Sequence, residues 1–300
     1  MRKILVALMF TIGCSNSPTQ TPQDLAGGPA DLGTAPDLAL NAIIAARPYD
    51  LHVPTGYDPT KATPLVILLH GYGATGAIYN AYFGLFALSD EKTFLYAAPD
   101  GTVDSMGKRF WDATDACCNL YGMPEDDVGY LDAIIDDVAA RYNLDAKRVF
   151  VVGHSNGGFM AHRFACDMAP RVAAIVSLAG AQWLDATKCM PSEKVSVVQI
   201  HGDADTTIKY TGDTFYPSAH VTVADWATKN GCTGSLTDTG TTLDLETMLA
   251  GAETKVERYA GCTGSDVELW TIQGGMHVPM LATPAFPEAV WTFLAAHPKP

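Results

Sequence analysis

Val149-Phe150-Val151-Val152-Gly153-His154-Ser155-Asn156-Gly157-Gly158 is the stretch on which the reading of this chain turns. Its first four residues are apolar and mostly β-branched, which favours a strand. The residues that follow, Phe159-Met160-Ala161-His162-Arg163-Phe164-Ala165, read as a helix. A strand that passes into a helix through Gly-x-Ser-x-Gly is a nucleophile elbow. The turn forces Ser155 into a strained backbone conformation, and side chains at positions 153 and 157 would collide with the neighbouring strand and helix. That strain lifts the Ser155 hydroxyl clear of the sheet. The helix start then offers amide donors and a positive dipole end to any oxyanion formed there. The same pattern also arises by chance in glycine-rich turns that only pack, so Ser155 needs partners before it reads as a nucleophile.

Outward from the elbow, apolar runs and glycine-rich breaks alternate along the chain. Residues 47–53 read as an early strand, and Pro64-Leu65-Val66-Ile67-Leu68-Leu69 as a buried strand entering His70-Gly71-Tyr72-Gly73. A helix is predicted over residues 77–87 and a strand over 93–98. An amphipathic helix is predicted over 127–142, capped by the acids before it. Further strands are expected at 173–178, 195–200 and 267–272, with a last helix over 287–296. Strands alternating with helices predict an α/β fold, a mostly parallel, doubly wound sheet with helices on both faces. Residues 210–259, rich in Gly and Thr, are expected to form a small lid-like insertion. Sites in such sheets lie at strand C-termini, where His70, Ser155 and His201 all fall.

A serine nucleophile needs a base, and the base needs an orienting carboxylate. In an elbow enzyme these follow in the order Ser, acid, His, each just after a strand. His201-Gly202-Asp203-Ala204-Asp205 follows one strand, and Gly274-Gly275-Met276-His277 follows another. His277 is therefore the candidate base. His220 sits on an expected helix and His297 in the last few residues, which makes them weaker candidates. Either Asp203 or Asp205 can reach across. Asp205 is preferred because the second turn of its loop points back toward His277, leaving Asp203 to stabilise the loop. The glycines after His70 let the backbone turn its amides toward an acyl carbonyl, so the N–H groups of Tyr72 and Asn156 are the expected oxyanion hole.

Length and composition frame this site. A 300-residue chain that is 48% hydrophobic suits one large α/β domain with small appendages. With 33 acidic against 19 basic residues and no basic cluster, nucleic acid is not an expected partner. Met1-Arg2-Lys3 followed by a mostly apolar run over residues 4–12 fits a signal peptide over residues 1–13, too short to span a bilayer. Gly13-Cys14 resembles a lipobox with Thr11 in place of the usual leucine, so Cys14 is the candidate lipidation site. Ordinary secretory cleavage is the competing reading. Residues 14–40, with Pro, Gly and repeated Asp-Leu pairs, read as a flexible tether, and residues 41–300 as the catalytic domain. Setting Cys14 aside leaves six cysteines, which allow fifteen pairings. Cys166–Cys189 and Cys232–Cys262 would staple neighbouring elements and leave Cys117 beside Cys118. No Cys-x-x-Cys or His/Cys spacing supports zinc, so disulfides are the expected use in an exported chain.

Taken in order, His-Gly-x-Gly, Trp…Cys-Cys, Asp-Asp-Val-Gly-Tyr, Gly-His-Ser-Asn-Gly-Gly-Phe-Met, His-Gly-x-x-Asp and Gly-Gly-x-His resemble the secreted poly(3-hydroxybutyrate) depolymerase and feruloyl esterase family. The likeness runs over residues 47–293. It implies an α/β-hydrolase fold and hydrolysis of carboxylic esters, polymeric or small, without a metal or organic cofactor. By resemblance Ser155, Asp205 and His277 form the triad, and Trp111 with Cys117-Cys118 lines the site. His70 and His154 join Trp111 as expected substrate-binding residues. The chain departs from the family in having Ile208-Lys209-Tyr210 where Val-Pro-Tyr is usual, and Val278-Pro279 where Trp-Pro often follows the histidine. The missing aromatic leaves the substrate open between a polyester and a plant cell-wall polysaccharide ester. Two rival readings remain, a secreted serine peptidase with the same triad and a catalytically silent surface lipoprotein. Peptidases of this kind usually carry a propeller, for which the chain is too short.

Overall fold

The computed structural model describes residues 35–300. The expected signal peptide, Cys14 and most of the expected tether lie outside the described residues. Helix α1 (Ala35–Ala46) opens the described chain and packs against a later helix, α4 (Asp127–Arg141). The tether boundary expected at residue 40 therefore falls inside a helix. Beyond Pro36 the run is dominated by Ala, Leu and Ile, which sustain a helix once a neighbour covers one face.

Eleven strands follow: β1 (Leu51–His52), β2 (Thr63–Leu69), β3 (Leu95–Ala97), β4 (Thr102–Val103), β5 (Arg109–Phe110), β6 (Leu144–His154), β7 (Ala174–Leu178), β8 (Ser196–Gly202), β9 (Leu236–Leu243), β10 (Thr254–Tyr259) and β11 (Val267–Ile272). Nine of them form one sheet in the order β1-β3-β2-β6-β7-β8-β11-β10-β9, while β4 and β5 pair separately. The six central strands, from β3 to β11, run parallel. Antiparallel pairs finish both edges.

Alternation along the buried strands divides the core into two halves. Leu65, Ile67, Leu69, Val149 and Val151 pack against α4, α5 (Asn156–Asp167) and α6 (Ala219–Lys229). Val66, Leu68, Phe150, Val152 and Val176 face α2 (Gly76–Phe83), α3 (Leu85–Lys92) and α7 (Ala285–Ala296). The sheet is thus wound on both faces, as expected from strands buried on both sides.

Three details differ from the sequence-based expectation. The early strand shrinks to two residues, and the helix expected over 77–87 is broken in two at Gly84. Residues 210–259 do not form a lid. They supply α6, whose Trp226 is fully buried, and then β9 and β10, which extend the sheet. Threonine repeats such as Thr237-Asp238-Thr239 resemble loop composition, but threonine is β-branched and suits an exposed edge strand. The cysteines pair as Cys117–Cys118, Cys166–Cys189 and Cys232–Cys262.

Candidate active site

β6 ends at His154 and α5 begins at Asn156, with Ser155 between them at φ 54°, ψ −122°. A non-glycine residue held there stores roughly 1–3 kcal/mol of strain, which the surrounding packing must hold. The Ser155 N–H donates to Leu178 O at 2.8 Å, tying the turn to the end of β7. The two glycines of the motif are required by space. A Cβ at Gly153 would lie 2.1 Å from Gly157 O, and one at Gly157 would lie 2.1 Å from Leu69 O. Helix and strand approach so closely that no side chain fits, and the serine is left at the rim of the sheet.

The loops after β8 and β11 converge on this point. The Ser155 hydroxyl donates to His277 Nε2 at 3.0 Å, and His277 Nδ1–H donates to Asp205 Oδ2 at 2.7 Å. The Asp205 side chain is fully buried, whereas His277 keeps 15% of its side chain exposed. The other Asp205 oxygen accepts from the Thr207 and Ile208 N–H groups at 2.8 and 3.0 Å. Burial by itself raises the pKa of this carboxyl, but hydrogen bonds from His201, His277 and Thr207 outweigh it and hold the group well below the usual carboxylate range. A fixed, ionised acid therefore holds His277 in the tautomer whose Nε2 accepts the serine proton. Asp203 points elsewhere. It accepts from the Gly274 N–H at 2.6 Å and clips the two loops together.

The loop after β2 lies against the nucleophile. A Cβ placed on Gly71 would sit 3.4 Å from Ser155 Cβ. Among the described residues neither the Tyr72 nor the Asn156 backbone N–H has a backbone acceptor. The Tyr72 side chain turns away and donates to Asp104 at 2.5 Å. The Asn156 side chain is clamped between Trp111 N–H and C=O at 2.7 and 2.9 Å, and Asn156 is fully buried.

Three residues expected to touch substrate do not reach solvent. His70, Trp111 and His154 are 0%, 0% and 2% exposed and belong to the framework behind the site. His70 accepts from the Gly101 N–H at 2.9 Å through Nε2 and donates from Nδ1 to Gly71 O at 2.8 Å, while burial lowers its pKa. Trp111 Nε1–H donates to His70 O at 3.0 Å, bracing the same turn from beneath. His154 accepts from the Tyr79 hydroxyl at 2.6 Å and donates to the backbone carbonyl of His277 at 2.7 Å. Burial, reinforced by neighbouring His277, pushes the His154 imidazole down to about 3, so it is a neutral strut. The two histidines look exposed in the sequence because they sit at strand ends. In the fold Tyr79 and Trp111 pack against His70, and Tyr79 and Tyr82 against His154. The Cys117–Cys118 pair borders a separate polar cavity of about 310 Å³ with Asp112, Asn119, Arg163 and Trp183.

Two features of the site go beyond the sequence reading, which placed His201 at the strand ends without giving it a role. His201 lies behind Asp205, its Nε2 3.4 Å from Oδ2. Met276, Val278 and Met280 flank His277 and are each 61% exposed, so the approach to the base is apolar. Nothing local in Met276-His277-Val278-Pro279-Met280 separates an exposed apolar rim from a half-buried strand, so the fold was needed to show it.

A strained serine elbow on a mostly parallel sheet, with aspartate and histidine on the converging loops after β8 and β11, defines an α/β hydrolase. Residues 56–230 match the phospholipase/carboxylesterase family, and the chain belongs to that family. Feruloyl esterase C of Emericella nidulans is 26% identical over 310 aligned residues that cover 99% of both chains. Feruloyl esterase B of Piromyces equi is 25% identical over 237 residues, 75% of this chain but 41% of that protein, so the chain spans less than half the length of that relative. Among solved structures, an acetyl xylan esterase from Aspergillus awamori superposes with a TM-score of 0.58 at 16% identity, over 82% of this chain and 92% of that one, which speaks for the shared fold.

Proposed function

We propose that this protein is an exported serine carboxylic-ester hydrolase that works through an acyl-enzyme on Ser155. The observation that carries the reading is the hydrogen-bonded series Ser155–His277–Asp205 set on the strained elbow. His277 takes the hydroxyl proton as Ser155 Oγ attacks the ester carbonyl, and Asp205 stabilises the imidazolium that forms. The Tyr72 and Asn156 amides receive the oxyanion. His277 then protonates the leaving alcohol, and a water molecule repeats the sequence to free the acid.

The similarity to feruloyl esterases supports an acyl group esterified to a plant polysaccharide as the substrate class. The apolar flanks Met276, Val278 and Met280 fit an aromatic or aliphatic acyl group rather than a charged one. A polyester is the finer alternative within the same chemistry. Three disulfides support an oxidising compartment, and Cys14 is the proposed lipid attachment point.

The test is a panel of p-nitrophenyl acetate, methyl ferulate, acetylated xylan, polyhydroxybutyrate film and an aminoacyl anilide, run on wild type and Ser155→Ala. Ester turnover that disappears in Ser155→Ala, with fluorophosphonate labelling confined to the wild type, is expected. Ester turnover surviving in Ser155→Ala overturns the mechanism, and preference for the anilide moves the protein to the peptidases. Palmitate labelling that persists in Cys14→Ser removes the proposed anchor.

A further inference from the structure

The buried polar groups behind Asp205 form a single directed chain. Trp226 Nε1–H, on α6, donates to His162 Nδ1 at 2.9 Å. The indole has no acceptor capacity, so His162 must carry its proton on Nε2, which donates to Gln199 Oε1 at 2.9 Å. That contact fixes the orientation of the Gln199 amide, whose Nε2 donates to Gly180 O at 2.8 Å and toward His201 Nδ1 at 3.2 Å. His201 Nδ1 is thereby an acceptor, and its remaining proton lies on Nε2. From there it donates to Ile208 O at 2.8 Å and faces Asp205 Oδ2 at 3.4 Å.

All four side chains of the chain are essentially inaccessible to solvent, with Trp226, His162 and Gln199 at 0% and His201 at 1%. Reversing any one link would place two donors or two acceptors face to face without water to relieve them, which is costly in a buried network. The direction of the whole series follows from the indole at its far end. Its near end presents one N–H to the carboxylate oxygen that also receives His277.

We propose that His201 is a positioning residue for the ester-hydrolysing site, locked as the neutral Nε2–H tautomer by the Trp226–His162–Gln199 chain, so that it holds the Asp205 carboxylate in line with His277. This rests on the assignment of Ser155, His277 and Asp205 made above. His201 touches neither substrate nor the reacting atoms. It acts by restricting the rotation of Asp205 about its last bond, which the Thr207 and Ile208 amides restrain only at the opposite oxygen.

The experiment compares His201→Phe, which keeps a flat ring and loses the donor, with His201→Gln, whose amide N–H returns a donor near the Nε2 position. With p-nitrophenyl acetate, His201→Phe is expected to lower kcat by about 10-fold, less than a full hydrogen bond to a charged group because the N–H is shared with Ile208 O, while KM holds and the thermal midpoint falls as Ile208 O and a Gln199 N–H lose their partner. His201→Gln is expected to recover most of that loss. Equal kcat in wild type and His201→Phe overturns the proposal, as does a loss that His201→Gln fails to repair. Because His201→Phe is a core substitution, nitrogen-15 NMR of the wild-type histidines provides an independent reading. A neutral ring protonated on Nε2 is expected, and an Nδ1–H tautomer or an imidazolium at the pH of maximal activity overturns the proposal. Wild-type turnover abolished in Ser155→Ala is measured alongside. If that control fails, the assignment of the nucleophile fails; if it holds and the His201 variants behave like wild type, only the positioning role fails.

Discussion

Replacing Asp205 by asparagine tests the geometry of the site most sharply, because the structure dictates how the new amide must sit. One carboxylate oxygen accepts from Thr207 and Ile208 N–H groups at 2.8 and 3.0 Å, so the asparagine oxygen stays there. Flipping the amide would aim its NH2 at those two donors and cost about 1–3 kcal/mol for each group left unpaired. The NH2 must therefore face His277 Nδ1, now 2.7 Å from an acceptor. A donor in that place drives His277 to the tautomer with its proton on Nε2. That proton points at Ser155 Oγ, 3.0 Å away, and the base is blocked although every atom is nearly in place. A wrong-tautomer defect of this kind lowers kcat by roughly 10,000-fold in serine hydrolases that use the same triad. The equivalent barrier increase is about 5 kcal/mol. Asp203→Asn keeps an oxygen for the Gly274 N–H and is expected to stay within a few-fold of wild type. The assay is kcat/KM on p-nitrophenyl acetate for both variants, with thermal midpoints to establish folding. Asp205→Asn within tenfold of wild type, or Asp203→Asn losing as much as Asp205→Asn, refutes the reasoning.

Gly157→Ala puts a methyl group 2.1 Å from Leu69 O and 2.7 Å from His70 O, both backbone atoms that cannot yield. It is expected to destabilise the fold by about 3 kcal/mol or more, measured as a shift in the urea midpoint. His154 and His162 are held neutral by burial, with pKa values pushed down to about 3 and about 4. The unfolded chain binds those protons below about pH 6.5 and the native chain does not, so native stability falls as pH drops from about 6.5 toward 4. Each histidine contributes a slope of up to about 1.4 kcal/mol per pH unit, and urea titrations of His162→Gln should show a flatter profile than wild type. The Cys232–Cys262 bridge closes a separation of 30 residues between α6 and the turn before β11. Its removal as a Cys232→Ser/Cys262→Ser pair is expected to cost roughly 3–4 kcal/mol by scanning calorimetry while ester turnover at 25 °C persists.

How far the sequence discloses this molecule depends on the range of the interaction involved. The elbow, β2, β11 and α4 were legible because their signals are local: an apolar run, a glycine that admits no side chain, an acid before a helix. The approach of His277 to Ser155, 122 residues apart, was legible for a different reason. Chain order and the rule that sites lie at strand C-termini restrict each partner to one loop. Within residues 210–259 it was β9 that lacked both kinds of signal, since an exposed edge strand of threonines has no buried face to write a pattern. His70 and His154 were misread for a related reason, whereas Trp111 was placed at the site by resemblance alone. A polar side chain at a strand end has the same sequence context whether it meets substrate or is sealed beneath a loop. What separates the two is the hydrogen-bond inventory. His154 has both ring nitrogens committed, one to Tyr79 and one to the His277 carbonyl, and a side chain with no free donor or acceptor has nothing polar to offer a ligand. His277 is the contrasting case. Among the described residues its Nε2 meets only the serine hydroxyl. Of the two histidines that bracket this serine, the candidate base that chain order singles out is thus also the one whose surroundings leave a hydrogen bond to be exchanged, whereas the sealed state of His154 is visible only in the folded arrangement.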